Sequence, residues 1–165
     1  MMNEFPLLET LARHGVPFVI IGGHAVNFHG SLRATEDVDV VWLRSASSER
    51  NLKAALDELG AEYISNQIDP STGIEKTHRV TIDYIRNRRL MMLCTRHGFL
   101  DLFDFVPDHP DTPVIELLNT SIDVDGLRFV SLAWLRRLKR AANRPKDQID
   151  LRNLPDTDED AGGPR

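Results

Sequence analysis

The sequence is poor in several features that would assign it to a class at once. Of its 165 residues only one, Cys94, is a cysteine. An internal disulfide is therefore excluded, and the composition predicts a protein of the reducing cytoplasm. No apolar run approaches the ~20 residues of a membrane span, and the first residues show no signal-peptide pattern. Aromatic residues make up only 7% of the chain, which leaves little material for the stacking platforms of nucleic-acid-binding modules.

The chain also lacks an overall excess of positive charge. Its formal net charge of −5 argues against a nucleic-acid binder that works by bulk charge. Basic residues are nevertheless concentrated between Arg128 and Arg152. Residues 155–165 are acidic, rich in glycine and proline and poor in apolar side chains, so they are predicted to form a disordered tail. Residues 1–154 are long enough for one domain with a core of useful size.

The most informative stretch that is present carries two acidic residues within an apolar run. Asp37 and Asp39 alternate with Val38 and Val40. Side chains of a strand alternate between its two faces, so both carboxylates are expected on the same face. Two carboxylates on a largely buried strand are costly unless a positive partner meets them. A divalent cation is the natural partner, because hard cations take oxygen ligands.

A glycine pair precedes these acids at the end of another apolar run. Phe18 to Ile21 is predicted to be a strand, and Gly22 and Gly23 open a short helix-like segment. Bare backbone N–H groups at such a start can approach a phosphate closely. Together with the paired acids, this glycine pair indicates metal-dependent chemistry on a nucleotide.

The rest of the chain alternates between helical and strand patterns. An amphipathic helix is predicted after the cap candidates at 45–48, and a hairpin is predicted at Asp125 and Gly126. Further strands are predicted at 80–85, 90–95 and 99–106, a loop at 69–76, and helices at 114–120, 132–142 and 146–154. This order predicts an α/β (α+β) fold, a mixed sheet flanked by helices with further helices at the C-terminus.

Three separated motifs resemble one known superfamily. GGHAVNFHG followed by RATEDVDVV resembles the start of the nucleotidyltransferase superfamily, to which DNA polymerase beta belongs. In GFLDLFDFVP, Asp101 matches the third carboxylate of that superfamily. The C-terminal LKRAANRPKDQIDLRNL is similar to that of the abortive-infection-type toxin nucleotidyltransferases and their uncharacterised bacterial relatives. The resemblance covers residues 18–154 and implies a minimal palm-like sheet.

The resemblance also implies an activity. It is the Mg²⁺-dependent transfer of a nucleoside monophosphate from a nucleoside triphosphate, such as ATP, to an acceptor hydroxyl. Two Mg²⁺ ions would be held by Asp37, Asp39 and Asp101, with Asp101 as the general base. The acceptor would be a protein, a tRNA or a small molecule. Because little of the chain remains for an acceptor domain, a partner protein or a homodimer could complete the site.

The same resemblance suggests which residues bind the nucleotide. They are Gly22, Gly23, His24, Arg33, Lys139, Arg144 and Lys146. His24 stands where many catalytic relatives have serine. This departure motivates an alternative function, a catalytically weak nucleotide- or partner-binding domain of a toxin–antitoxin-type system.

The identity of the third carboxylate stays open at the level of sequence. Asp83, which also lies between apolar residues, and Asp104 compete with Asp101 for the place of the third carboxylate. Asp147 and Asp150 are expected to orient the neighbouring cations rather than to bind metal.

Overall fold

The structure is a computed structural model that describes residues 5–157. The helices are α1 Phe5–Arg13, α2 Gly22–Phe28, α3 Ala46–Glu58, α4 Ile82–Asn87, α5 Val114–Asn119, α6 Leu132–Ala142 and α7 Pro145–Asn153. The strands are β1 Phe18–Ile21, β2 Asp37–Trp42, β3 Glu62–Ile68, β4 Glu75–Arg79, β5 Leu90–Thr95, β6 Gly98–Phe103, β7 Ile122–Val124 and β8 Leu127–Phe129. In this part of the chain, no helix is long and apolar enough to cross a membrane.

All eight strands join one mixed sheet in the order β4-β3-β5-β6-β2-β1-β8-β7. β2 runs parallel to β6, β1 runs parallel to β8, and the other neighbours are antiparallel. The predicted fold class, a mixed α/β sheet flanked by helices, is therefore confirmed.

Helices cover the two faces of the sheet to different extents. On one face the buried side chains of the central strands pack against α1, α3 and α4, in a core that includes Trp42, Leu52, Ile85 and Leu100. On the other face a smaller core joins α2, α5 and α6 to β1 and its neighbours through Val19, Val41, Leu117 and Leu135. The second face is thus covered at β1, while side chains of β5 and β3 on that face remain exposed.

Local sequence signals account for several of these elements. Ser45 caps α3 and exchanges side-chain hydrogen bonds with Ser48, so the predicted cap forms a complete capping box. Asp125 and Gly126 both have positive φ, at 53° and 84°, as a tight hairpin turn requires. α6 has the predicted bounds because its apolar residues recur with helical period and Ser131 caps it.

Two sequence predictions are wrong, and both concern the same region. Residues 80–85 do not form a strand, because the Thr81 hydroxyl accepts a hydrogen bond from the Tyr84 amide and starts α4. The last two residues of the loop predicted at 69–76 belong instead to β4. This edge strand was not predicted, because its charged sequence EKTHR shows no apolar alternation. Of the predicted disordered tail, only 155–157 lie within the described residues.

Candidate active site

The three candidate metal carboxylates lie on adjacent parallel strands. Asp39 of β2 is directly opposite Asp101 of β6, and Asp37 is opposite Phe99. Residues in register on neighbouring strands share a face, as do residues two apart on one strand. Asp37, Asp39 and Asp101 therefore form one acidic group on the partly covered face, although about sixty residues separate β2 from β6 in the chain.

The acidic group carries an uncompensated electrostatic cost. Burial, first of all, and then the negative charges of Asp101 and Asp37 together raise the pKa of Asp39 to about 7, while Lys146 opposes the shift. Burial, together with the charge of Asp37, likewise raises the pKa of Asp101. A positive charge beside these carboxylates would favour their ionised form.

The backbone of the glycine pair lies directly against this acidic group. Gly22 has φ +66°, and a Cβ built there would fall well inside van der Waals contact of the Asp39 carboxylate. A Cβ at Gly23 would lie 2.5 Å from Thr35 Oγ1. Lack of space therefore disfavours a side chain at either position, and the positive φ of Gly22 disfavours one there as well. The bare backbone at the start of α2 lies directly beside the carboxylates.

Cations from the C-terminal helices reach the same place through buried ion pairs. Lys139 Nζ of α6 lies 3.1 Å from Asp147 Oδ1 and 3.0 Å from Asp150 Oδ2. Arg144 Nε lies 2.7 Å from Asp147 Oδ2, and Asp147 raises the pKa of Arg144 through this hydrogen bond. Asp147 and Asp150 are almost fully buried. As the sequence predicts, these two acids contact the cations.

Arg33 connects the segment before β2 to the same network. Its Nε donates to Asp150 Oδ1 at 2.8 Å and a second guanidinium nitrogen donates to Asp150 Oδ2 at 3.1 Å. Such a two-point contact fixes both position and orientation of the guanidinium. Asp150 therefore holds Arg33 and Lys139 together, one from each side of the site.

These groups line one cleft of about 380 Å³. Its lining residues are Gly22, Gly23, Arg33, Ala34, Thr35, Glu36, Asp37, Asp39, Asp101, Lys139, Arg144 and Lys146. The structure thus brings together every candidate site residue except His24, which is half-buried in α2 and does not line the cleft. Thr35 and Glu36 line it as well.

The alternative third carboxylates lie elsewhere. Asp83 is in the first turn of α4 and exposed, and it does not line the cleft. Asp104 follows β6 and is engaged by Arg44 and Arg89, with Nε to carboxylate distances of 2.8 and 3.1 Å. It lines a second cavity, of about 430 Å³.

The residues present fit a divalent cation that is shared with a substrate. Among residues 5–157, no group of three or more histidine, cysteine or acidic side chains is arranged so that it could hold a metal ion by itself. Mg²⁺ does not require one, because proteins usually hold it through one or two carboxylates plus substrate phosphates and water. Asp39 and Asp101 face each other in register, with Asp37 two residues from Asp39 on the same face, and together they offer oxygen ligands to one place. The glycine backbone leaves room for phosphate beside that set.

Comparison with known proteins gives structural matches only. No protein-family model and no curated protein matches the sequence. A candidate nucleotidyltransferase from Thermotoga maritima, TM1012, is similar over 92% of this chain and 93% of its own, with a TM-score of 0.52 and 12% identity. The solution structure of the antibiotic-resistance factor ANT(2'')-Ia is similar over 90% of this chain and 80% of its own, with a TM-score of 0.53 and 16% identity.

Two further structures match less closely. ANT(2'')-Ia in complex with adenylyl-2''-tobramycin has a TM-score of 0.50 at 16% identity, over 88% of this chain and 82% of its own. JHP933 from Helicobacter pylori has a TM-score of 0.46 at 16% identity, and this chain spans 63% of its length. The matches with TM-scores of 0.50 or more agree with the mixed sheet, and this chain shares its fold with TM1012 and ANT(2'')-Ia.

Proposed function

We propose that the protein is a Mg²⁺-dependent nucleotidyltransferase that transfers a nucleoside monophosphate from a nucleoside triphosphate to an acceptor hydroxyl. The observation that supports it most is the cleft itself. Bare glycine backbone, the three aspartates with Glu36, and a set of cations line one space of about 380 Å³. ANT(2'')-Ia, which shares the fold, has been determined with an adenylylated product, and this supports the same class of reaction here.

The cations and the glycine backbone would bind the triphosphate. Gly22 and Gly23 provide N–H groups at the start of α2, and Lys139 and Arg144 are held in place by Asp147. Positive groups fixed in advance stabilise the charge that develops on the leaving pyrophosphate without reorganising during the reaction. Lys146, whose charge lowers the pKa of Asp39, adds to the positive side of the cleft.

The carboxylates would hold the metal and receive the acceptor proton. Asp37, Asp39 and Asp101 would hold two Mg²⁺ ions, which supply charge neutralisation of the triphosphate and a lowered pKa of the acceptor hydroxyl. Asp101, on the strand farther from the glycine pair, accepts the hydroxyl proton. The hydroxyl oxygen then attacks the α-phosphorus in line with the leaving pyrophosphate.

The test is incubation with Mg²⁺ and each labelled nucleoside triphosphate, reading both pyrophosphate release and label transfer. The Asp37→Asn/Asp39→Asn double variant serves as the inactive control, since it keeps the shape of both side chains and removes their charge. Mg²⁺-dependent triphosphate affinity lost in the double variant supports the proposal. Unchanged affinity in that variant contradicts it. Binding without pyrophosphate release assigns the chain to the alternative, a nucleotide-binding module.

A further inference from the structure

An exposed apolar surface borders the acidic group on the side away from the cations. Met92 of β5 is directly opposite Asp101, and Cys94 is opposite Phe99. Ile64 of β3 shares this face, because Glu62 is opposite Cys94 and Ile64 lies two residues further on. Leu90, opposite Phe103, completes the group. We call Ile64, Leu90, Met92 and Phe99 the apolar platform; they are 53%, 38%, 64% and 51% exposed.

The platform is continuous with the proposed reaction centre. Across the sheet the order is β1, β2, β6, β5 and β3. The glycine pair and the C-terminal cations lie on the β1 side of the acids, and the platform lies on the β5 side. A triphosphate bound at the glycines and cations leaves the β5 side for the acceptor. The residue nearest to Asp101 on that side, in strand register, is Met92.

The chemistry of the platform argues against two classes of charged acceptor. On β5 and β6, the residues of this face other than Asp101 are uncharged. The strand cations of this face are Arg79 on β4, opposite Glu62, and Arg128 on β8, and each lies three strands from β6. A nucleic acid needs lysine or arginine along its phosphate backbone. A polycation needs several carboxylates beyond the three assigned to metal, and on β3, β5 and β6 this face adds only Glu62.

The shape of the surface distinguishes between the two remaining classes of acceptor, small molecules and proteins. Small molecules bind in concave sites that enclose most of their surface. The platform residues do not line the cleft, and more than a third of each side chain is exposed. Strand spacing gives the platform a width of about 10 Å from β6 to β3. Exposed methionine and aromatic side chains on an uncovered sheet face are typical of protein–protein contacts.

We propose that the acceptor hydroxyl belongs to a protein segment with apolar residues beside the hydroxyl, and that this segment docks on the apolar platform. The inference rests on the proposed function. In the reaction the hydroxyl oxygen of the segment forms a bond to the α-phosphorus. The bond between the α-phosphorus and the bridging oxygen breaks, pyrophosphate leaves with the electron pair, and the hydroxyl proton passes to Asp101.

The experiment uses a peptide library in which one serine, threonine or tyrosine stands at the centre of random flanks that contain no other hydroxyl. Full-length protein, Mg²⁺ and nucleoside triphosphates are added, and modified peptides are identified by the mass of the added nucleotide. Parallel reactions contain bulk tRNA or tobramycin. The variants are Met92→Lys and, as the control, Ile122→Lys, which is also exposed (42%) but lies on β7 at the other end of the sheet.

Wild type and Ile122→Lys are expected to enrich apolar flanks by about tenfold over the input library. Met92→Lys should lose that enrichment and favour acidic flanks among the peptides that are still modified. If Met92 had only a structural role, its replacement by lysine would not change the flank preference from apolar to acidic residues. Met92 is mostly exposed, so its replacement is not expected to unfold the chain.

Four results overturn the inference. Faster transfer to tRNA or tobramycin than to any peptide, or modified peptides without flank preference, removes the acceptor assignment and leaves the proposed function standing. A dimer that Met92→Lys dissociates, again without peptide preference, assigns the platform to a second copy of the chain. Absence of Mg²⁺-dependent triphosphate binding in the wild type removes the proposed function and the acceptor assignment together.

Discussion

Asp39 lies between two other carboxylates and beside a glycine whose missing side chain makes room for it. Its pKa of about 7, against an ordinary 3.8, means that the folded protein binds a proton there more tightly than the unfolded chain does. The sign for stability follows from linkage. Between pH 4 and pH 7 the folded state holds more protons than the unfolded state, so stability contributed by Asp39 is lost as the pH rises through this window.

Replacing Asp39 by asparagine should therefore stabilise the metal-free protein at high pH. At about 1.4 kcal/mol for each pKa unit, the gain at pH 8 is on the order of a few kcal/mol. At pH 4 the variant and the wild type should be similar. The measurement is urea unfolding in EDTA at both pH values. A variant that is less stable than the wild type at pH 8 would show that the Asp39 charge is compensated in the metal-free protein.

Asp101 should matter more for chemistry than for nucleotide affinity. A carboxylate that receives the acceptor proton is not needed to bind the triphosphate. Asp101→Asn should keep nucleotide affinity within a few-fold and lower turnover by at least ~10², the scale of general-base loss. The matched control is Asp83→Asn, an exposed acid of α4, which should change neither quantity. If Asp83→Asn lowered turnover and Asp101→Asn did not, the role of third carboxylate would be assigned to Asp83.

At the level of elements, the turn from β1 into α2 sets how closely a phosphate can approach. A side chain at Gly23 meets Thr35 Oγ1 at 2.5 Å and an Arg33 guanidinium nitrogen at 3.1 Å. Gly23→Val should therefore weaken triphosphate binding far more than nucleoside binding, as measured by calorimetry with both ligands. In Gly73→Val, where a Cβ meets nothing within 4 Å, both affinities should stay unchanged. Equal losses for both ligands in Gly23→Val would instead indicate a general folding defect.

The contact between α6, α7 and the segment before β2 depends on one buried carboxylate. Asp150 pairs with Arg33 and Lys139, and its side chain is 2% exposed. Removing one partner from a buried ion pair typically costs about 3–5 kcal/mol. Asp150→Asn should lower the free energy of unfolding on that scale and weaken triphosphate binding. Asp156→Asn, an exposed partner of Arg136, should stay within about 0.5 kcal/mol. Equal effects of the two variants on unfolding would show that the Asp150 pairs contribute little.

For the whole molecule, the acidic group is a cost of folding that a ligand can remove. Mg²⁺ and triphosphate together should raise the melting temperature, because they bind only the folded cleft. At a hundredfold excess over Kd the gain is about 2.7 kcal/mol, or roughly 5–10 °C for a chain of this size. Differential scanning fluorimetry with and without EDTA measures it. The Asp37→Asn/Asp39→Asn variant should show no shift, and an equal shift in that variant would place the ligand elsewhere.

Some of these features could be read from the sequence because they depend on neighbouring residues. The helical period and its cap define α6, and Asp125-Gly126 defines the last hairpin. The same-face spacing of Asp37 and Asp39 follows from the two-residue period of any strand. The superfamily fold was also within reach, because its motifs are short and lie in the expected order.

Other features were decided only by packing between distant segments. The sequence pattern of residues 80–85 favours a strand, yet the Thr81 cap and the packing of Ile85 into the core make α4. The charged β4 becomes a strand because β3 offers it an edge. No local sequence pattern reveals which partner Asp150 takes, because Arg33 lies 117 residues away in the chain.

The sequence by itself determined the local elements, the paired acids and the glycine turn, because each depends on backbone preferences and side-chain period over a few residues. Only the tertiary structure decided that Asp101, not Asp83, stands beside Asp39, and that the face next to them is apolar and uncovered. Strand register and sheet order set these relations. They depend on the total packing of the chain, which no short window of residues contains.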